Sequence, residues 1–532
     1  MTGRFRDAEH FDLIFVMPAS LSQIRTTHPH LFKAFSVLPD GEEHLGRIEE
    51  LDRYWEQLDH TVPDVVKDGS ALPSGAALSS TYDIIYAGGT LGMLHAAVMA
   101  VRFGRKVLVF DRNTPGRSTR DWNISRQELF RLADTGVFSK EELDSVIVRK
   151  YKTGWVEFHK EDGSQKRLYM QNVLDCAVDA DRLLGLAMEK VKAMKGCAVL
   201  SGTSFVRCFR FSDHVVVETA DQKGNVSWFG AQVLVDVMGI LSPIAMQLNR
   251  GRPQTHVCPT VGTSASGFLG VDFQTGEILA STGPAETSPG RGRQLIWEGF
   301  PAKGDEYITY LFFYDEVASP NDKSLLGLFD TYFKRLGEYK IMGPDFRVHR
   351  PVYGIIPAYF HDGFSRTREI ADDRIVLLGD AASLASPLTF CGFGSMVRNL
   401  ESLTAGLEAA LTKGSLGKRA LEKVSAYEPN VASMANLMKY MCYDSATDEP
   451  NFVNDLMNEV MVALDDLPEH YREAMFRDEM KIEELAVVML RVAWRYPEVL
   501  KATWDKLGVE GSVGFLKNIS GWALSRMKQP WW

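Results

Sequence analysis

The sequence predicts an α/β fold: a Rossmann-like nucleotide-binding domain split by a mainly antiparallel β insertion and followed by a helical C-terminal region. Three observations lead there. Residues 82–111 carry a strand–turn–helix–strand pattern with a glycine-bearing turn. Residues 374–396 carry a second buried strand that ends in Gly379-Asp380 and runs into a long helix. Between them, residues 258–316 read as β, punctuated by Thr and Gly. The expected division is an N-terminal extension and linker (1–80), a discontinuous nucleotide domain (81–257 and 345–420), an inserted substrate domain (258–344) and a helical region (421–532).

In the first stretch, Tyr82-Asp83-Ile84-Ile85-Tyr86 is a short buried strand and Ala87-Gly88-Gly89-Thr90-Leu91-Gly92 a tight turn. Residues 93–103 have helical spacing, and Lys106-Val107-Leu108-Val109-Phe110 is a second strand closing on Asp111. This is the βαβ length that dinucleotide binding requires. Gly89 would let the backbone approach a pyrophosphate, and Gly92 would let helix and strand pack closely. The helix N-terminus offers free N–H groups and partial positive charge to phosphates. Asp111 falls about twenty residues on, where an acid accepts from a ribose hydroxyl. Ala87 holds the place of the usual first glycine.

Ahead of this unit, Leu45, Ile48, Leu51, Trp55 and Leu58 recur at helical spacing, so residues 42–59 are expected as an amphipathic helix. Residues 68–80, rich in Gly, Ser, Ala and Pro, read as a linker. After Asp111, residues 116–126 hold Arg117, Arg120 and Arg126, arginines suited to bracket a pyrophosphate. The alternative is a polar loop that happens to carry them. Ser125 with Glu128, and Ser139 with Glu142, have capping-box spacing. Residues 178–194 read as a helix with Leu183, Leu184, Ala187, Val191 and Met194 on one face. The strand at 231–236 runs into Val237-Met238-Gly239-Ile240-Leu241-Ser242. Its Asp-x-x-Gly-x-x-Ser pattern resembles a recurring feature of hydroxylase-type flavoproteins, and would return the chain to the nucleotide sheet.

In the insertion, residues 294–301 and 307–314 look like paired strands. Glu298 sits among Ile296, Trp297, Phe300 and Phe312. It is either a functional acid with a shifted pKa or an outward-pointing strand residue, and period-2 alternation alone does not choose. The strand 374–378 ends in Gly379-Asp380-Ala381-Ala382, passes Ser386-Pro387 and reaches Cys391-Gly392-Phe393-Gly394. In flavoproteins that this stretch resembles, the Asp holds the ribityl chain and the helix N-terminus faces the flavin pyrimidine ring. Paired with the first motif, it points to FAD rather than NAD.

A formal net charge of −10 argues against a general nucleic-acid binder. The six cysteines are scattered with no Cys-x-x-Cys pair, so no metal site or disulfide framework is expected, and a reducing compartment is the natural reading. The N-terminus lacks an apolar signal core and carries acids at once (Asp7, Glu9), so neither a signal nor a transit peptide is expected. No apolar run reaches the ~18–20 residues of a membrane span. The expected location is cytoplasmic. Residues 420–532 read as helical, and the end mixes Phe515, Leu516, Trp522, Leu524, Trp531 and Trp532 with Lys517, Arg526 and Lys528. That composition suits peripheral contact with a membrane face, or equally a helix packed on the body.

Together these motifs resemble the CruA/CruP type of lycopene cyclase. The likeness rests on Gly88-Gly89-Thr90-Leu91-Gly92, on Gly116-Arg117 with Asp121-Trp122-Asn123-Ile124-Ser125, and on Trp297-Glu298 with Phe300-Pro301-Ala302. It also rests on Tyr353-Gly354-Ile355 with Pro357, on Gly379-Asp380-Ala381, and on Gly392-Phe393-Gly394. It spans roughly residues 81–440, and Trp-Asn-Ile-Ser is its specific part. The resemblance implies an FAD-dependent enzyme that closes the ψ ends of lycopene into β-ionone rings without net redox change, with FAD reduced and NADPH as reductant. It implies a lipid-soluble carotenoid substrate, an acid at Glu298, and Trp297, Phe300 and Phe393 beside the substrate. For the flavin it implies Gly88, Gly89, Gly92, Asp111, Arg117, Arg126, Asp380, Gly392 and Gly394. No metal is implied. The alternative is an FAD- and NAD(P)H-dependent reductase, monooxygenase or carotenoid de-epoxidase of the same fold.

Overall fold

A computed structural model describes residues 21–58, 62–118, 120–252, 254–358, 368–384, 392–428, 431 and 438–527. The stretch that opens the nucleotide unit folds as its pattern predicts. Leu78–Ala87 and Val107–Phe110 run parallel, with Ala87 opposite Phe110. The connecting helix, Gly92–Val101, is buried from Gly92 to Ala100, which is why it reads as apolar on every side. Ala198–Leu200 adds a parallel strand beyond Val107–Phe110. Val226–Asp236 adds one on the other side, and Ile375–Leu377 pairs with its end. A strand from far along the chain thus completes the sheet. Phe110, Ala87, Asp236 and Leu377 form one row across it. Ligands of open α/β sheets bind outside such carboxyl ends.

Thr203–Arg210 and Val215–Asp221 extend this sheet as an antiparallel flap. Val66–Asp68 pairs with the flap edge, so part of the expected extension is a strand of the main sheet.

The second sheet runs, in spatial order, Asp315–Glu316, His256–Leu269, Tyr307–Phe312, Ile296–Pro301, Thr275–Ala280, Thr153–Glu157 and Leu168–Met170. Ile341–Ala358 pairs along nearly the whole of His256–Leu269. The domain therefore reaches beyond the expected bounds of 258–344. The reason is hydrogen bonding: the open edge of Thr275–Ala280 is covered in parallel by Thr153–Glu157. Its two faces bury different partners. Trp297 packs with Tyr332 of the helix Leu325–Tyr339, whereas Ile296 and Phe300 share a core with the C-terminal helices.

The N-terminal helices, Leu21–Thr27, Pro29–Phe35 and Gly41–Gln57, pack on Leu325–Tyr339, with Phe35 and Phe329 edge to face at 5.2 Å. The Asp52 carboxylate accepts from the Leu325 and Leu326 N–H groups at 2.6 and 3.1 Å, capping that helix from a distant segment. Of the two capping boxes in the sequence, Ser139–Glu142 forms with both bonds present. Ser125 makes no cap, and its hydroxyl accepts from the Leu174 N–H instead. The region after 438 is helical, its longest members being Phe452–Asp465, Ile482–Arg495 and Glu498–Met527. Among the described residues no helix is long and apolar enough to cross a membrane.

Candidate active site

Two of the four strand ends in the parallel row lead into the glycine turns of the motifs, Ala87 at once and Leu377 after one residue. Gly88 has φ +111°, and a Cβ there would stand 2.3 Å from the Val237 carbonyl oxygen, so only glycine fits. A Cβ on Gly92 would meet the Val237 side chain at 2.4 Å, giving the close helix–strand packing expected. Gly89 is constrained differently. Its Cβ would run into Pro115 at 2.6 Å, so this glycine admits the 112–118 loop as well as any ligand. Asp111 stands over the turn: Oδ2 accepts from Gly89 N–H at 2.7 Å and Oδ1 from Asn113 N–H at 2.8 Å. A carboxylate has about four acceptor sites, so a ribose hydroxyl can still bond here. The Gly92 helix starts without a side-chain cap, and its Met93 and Leu94 N–H groups donate to the Thr90 and Leu91 carbonyls at 3.0 and 3.1 Å, so the donors open to an anion are those of the turn ahead of them.

The second strand end contributes Gly379, at φ +60°, and Asp380. Gly392 opens the long helix Gly392–Thr412, and a Cβ there would lie 3.5 Å from Asp380 Oδ1. Gly394 is buried in the same turn. A small cleft lined by Leu378, Gly379, Asp380, Gly392, Ser395 and Met396 lies between them. Burial raises the Asp380 carboxyl pKa, and Arg120, 3.7 Å away, offsets part of the rise. Ser386, Pro387 and Cys391 lie outside the described residues.

The arginines sort otherwise than expected. Arg117 is held by Asp181 at 2.9 Å, and Arg126 by Asp175 at 3.4 Å. Arg120 is the one that reaches the second strand end. Its guanidinium lies over Gly354, where a Cβ would come within 2.4 Å of Nη2. Each of the three has an acid beside it, Asp181, Asp380 and Asp175 in turn.

The Trp-Asn-Ile-Ser motif is a joint. Trp122 stacks on Phe393 of the long helix, with centroids 4.3 Å apart and planes at 19°. The Tyr151 hydroxyl lies 3.0 Å from Asn123 Oδ1 and donates to the Pro301 carbonyl at 2.7 Å, tying the motif to the end of the Glu298 strand. Ile124 is buried in the nucleotide-domain core. Phe393, expected beside substrate, is 6% exposed and has one face covered by Trp122.

Glu298 is 4% exposed, and its Oε1 has no hydrogen-bond partner among the described residues. Burial pushes its carboxyl pKa well above the ordinary range, because the charged form loses its hydration. Three other acids are paired with cations. Glu277 pairs with Lys340, Glu286 with Arg293 at 2.9 Å and Arg335 at 3.4 Å, and Asp121 with Arg350. Trp297, expected to line the same space, points the other way. It is fully buried and stacks on Tyr339 at 4.9 Å, because neighbours on a strand face opposite sides. Phe300 shares the Glu298 face and lies beside Tyr151, with centroids 5.9 Å apart.

Sequence reasoning missed Tyr310. It lies directly opposite Glu298 in the hairpin register, and its hydroxyl is 3.5 Å from the Asp121 carbonyl. Glu298 and Arg120 both act on it electrostatically, and Arg120 lies 3.7 Å from Asp380. The signal was available: centring the two strands on the turn after Ala302 sets residue 298 against 310. Arg350, which neutralises Asp121, had no such signal.

This combination of a split parallel sheet, two glycine strand ends and a covering antiparallel sheet defines the FAD-binding hydroxylase-type flavoprotein fold. Solved structures bear this out. A geranylgeranyl bacteriochlorophyll reductase-like protein from Thermoplasma acidophilum aligns with TM-score 0.56 at 14% identity, over 80% of this chain and 99% of its own. The p-nitrophenol 4-monooxygenase PnpA from Pseudomonas putida DLL-E4 aligns with TM-score 0.53 at 14% identity, over 76% and 99%. A variant of the halogenase PltM in complex with FAD aligns with TM-score 0.52 at 13% identity, over 84% and 93%. No protein-family model matches the chain, and a search of curated proteins gave no match.

Proposed function

We propose that the chain is an FAD-dependent lycopene β-cyclase. It closes the ψ end groups of a carotenoid into β-ionone rings without net redox change. The observation that carries the reading is Glu298, a buried carboxyl whose Oε1 has no hydrogen-bond partner among the described residues, on the sheet face it shares with Phe300 and Tyr310. A general acid must hold a proton at working pH, and burial of this kind supplies one. The Glu298 carboxyl gives its proton to a terminal C=C bond of the substrate, leaving a tertiary carbocation. The neighbouring double bond attacks that carbon and closes the ring. Loss of a ring proton to the Glu298 carboxylate forms the product alkene and restores the acid. The faces of Phe300 and Tyr310 assist by cation–π attraction.

Gly88, Gly89, Gly92 and Asp111 would hold the adenosine and pyrophosphate of FAD. Asp380, Gly392, Gly394 and Arg120 would hold its ribityl and ring end. In its reduced form, maintained by NADPH, FAD would supply negative charge opposite the cation. Gly89→Trp is expected to lose bound flavin, since its side chain would fill the turn and displace the loop at Pro115. Flavin released on denaturation, measured against protein, checks this. Wild-type flavin content in the variant would remove the assumption.

A redox flavoenzyme acting on an isoprenoid or aromatic substrate is the second reading. It is favoured by the likeness to reductase-like and monooxygenase structures. Expression in a lycopene-accumulating bacterium separates the two. Cyclisation turns the colonies from red to orange-yellow. Unchanged red colonies, with NAD(P)H consumed by the purified flavoprotein, would favour the redox enzyme.

A further inference from the structure

The C-terminal helices carry apolar side chains on the outside. Among the described residues, eight of the eighteen large hydrophobics that are exposed fall between Val487 and Leu524. On Ile482–Arg495, Leu485, Val488 and Val492 face the core, while Val487, Leu490 and Trp494 form a row turned outward. Leu490 is 72% and Trp494 78% exposed. On Glu498–Met527, Leu500 and Trp504, one turn apart, are exposed as well, and beyond the kink at Gly508 so are Val509, Leu516 and Leu524. The buried faces already satisfy the fold, so this second row has no partner within the described chain.

Its charge setting differs from the rest of the molecule. Residues 487–527 hold six Lys or Arg against three Asp or Glu, in a chain whose formal net charge is −10. A basic residue directly follows each of Leu490, Trp494, Leu500 and Leu516, so cations flank the row. Arg495 is paired with Glu459 and Asp466, and Lys506 with Asp448. Lys501 and Lys517 are exposed and make no ion pair among the described residues, and two exposed acids, Glu498 and Asp505, stand near Leu500 and Trp504. Two outward tryptophans, a leucine row and adjoining free lysines match the chemistry of a headgroup–hydrocarbon boundary bearing negative charge. We propose that this face, beginning at Val487 rather than at the chain end, docks the protein on the surface of an anionic bilayer. The inference stands on the helices alone and holds whether the enzyme is a cyclase or a redox flavoenzyme.

Flotation of the purified full-length protein with vesicles tests it. The protein should float with vesicles of phosphatidylcholine containing phosphatidylglycerol, and less with phosphatidylcholine alone. The triple variant Leu490→Glu, Trp494→Glu, Trp504→Glu should lower the bound fraction about tenfold or more, since each change replaces an apolar group that the bilayer would take up with a charge. Its thermal midpoint and flavin content should stay at wild-type values, because these side chains face outward. Failure of the wild type to float, or equal flotation of the folded triple variant, overturns the proposal. So does a wild-type dimer in light scattering that the variant converts to monomer without any change in flotation, which would make the face a contact between copies. Loss of colour change in the cyclisation assay, with flotation intact, would count against the proposed reaction only.

Discussion

Glu298→Gln keeps its fold and its flavin and loses ring closure by ~10²-fold or more. The amide preserves shape and carries no charge, so packing on the Phe300 face is undisturbed. What it lacks is a proton acidic enough to transfer to carbon. Colony colour and product analysis with equal amounts of folded, flavin-loaded protein check the result, and near-normal cyclisation would end the assignment. The same substitution has a thermodynamic signature. The folded-state pKa of Glu298 lies above its unfolded value. As pH rises from the ordinary carboxyl pKa toward the folded one, the unfolded chain gives up this proton while the folded chain keeps it. Stability therefore falls across that window. Glu298→Gln removes that loss, so its thermal midpoint should exceed the wild type's at neutral pH and converge with it near pH 4. A gap that does not change with pH would mean that Glu298 is ionised in the folded protein.

Arg398→Met lowers stability by about 3–5 kcal/mol, the cost of leaving buried carboxylates without their cation. Arg398, on the long helix, is 4% exposed and contacts Glu128 at 2.8 Å, Glu428 at 3.1 Å and Asp478 at 3.3 Å. Glu128 and Asp478 are themselves buried, and burial raises the Glu128 carboxyl pKa even with the guanidinium beside it. One side chain thus joins the Trp-Asn-Ile-Ser segment, the flavin-side helix and the C-terminal helices. Denaturant titration should show the loss, and Glu128→Gln in the same chain should recover part of it, because one of the stranded charges is then gone. A loss below about 1 kcal/mol would make the cluster no stronger than a surface pair.

The parts of the fold written in local pattern were legible. The βαβ unit could be read residue by residue because its strands are buried on both faces and its turn needs glycine. The Ser139–Glu142 box could be read because both its bonds are local. Ser125 with Glu128 has the same spacing but did not cap, because distant partners, the Leu174 N–H and Arg398, claim those side chains. Residues 66–68 gave no sign of joining a sheet, since three residues carry no periodicity. The opposite faces of Trp297 and Glu298 follow from strand alternation, yet two adjacent conspicuous residues were read as one site. Arg120 could not be told from Arg117 and Arg126, because the acids that hold those two, Asp181 and Asp175, lie some fifty or more positions away in sequence.

The alternation along Ile296–Pro301 also limits how this protein can change over evolution. Glu298 faces Phe300 and the C-terminal core, while Trp297 faces Tyr332 and Tyr339. A single inserted or deleted residue ahead of Glu298 would exchange the two faces, sending a neutral acid into an aromatic stack and an indole into the reaction space. Drift in this strand is therefore tolerated only in steps of two, or where a bulge absorbs the odd residue. The proposed chemistry is thereby bound to the parity of one six-residue strand.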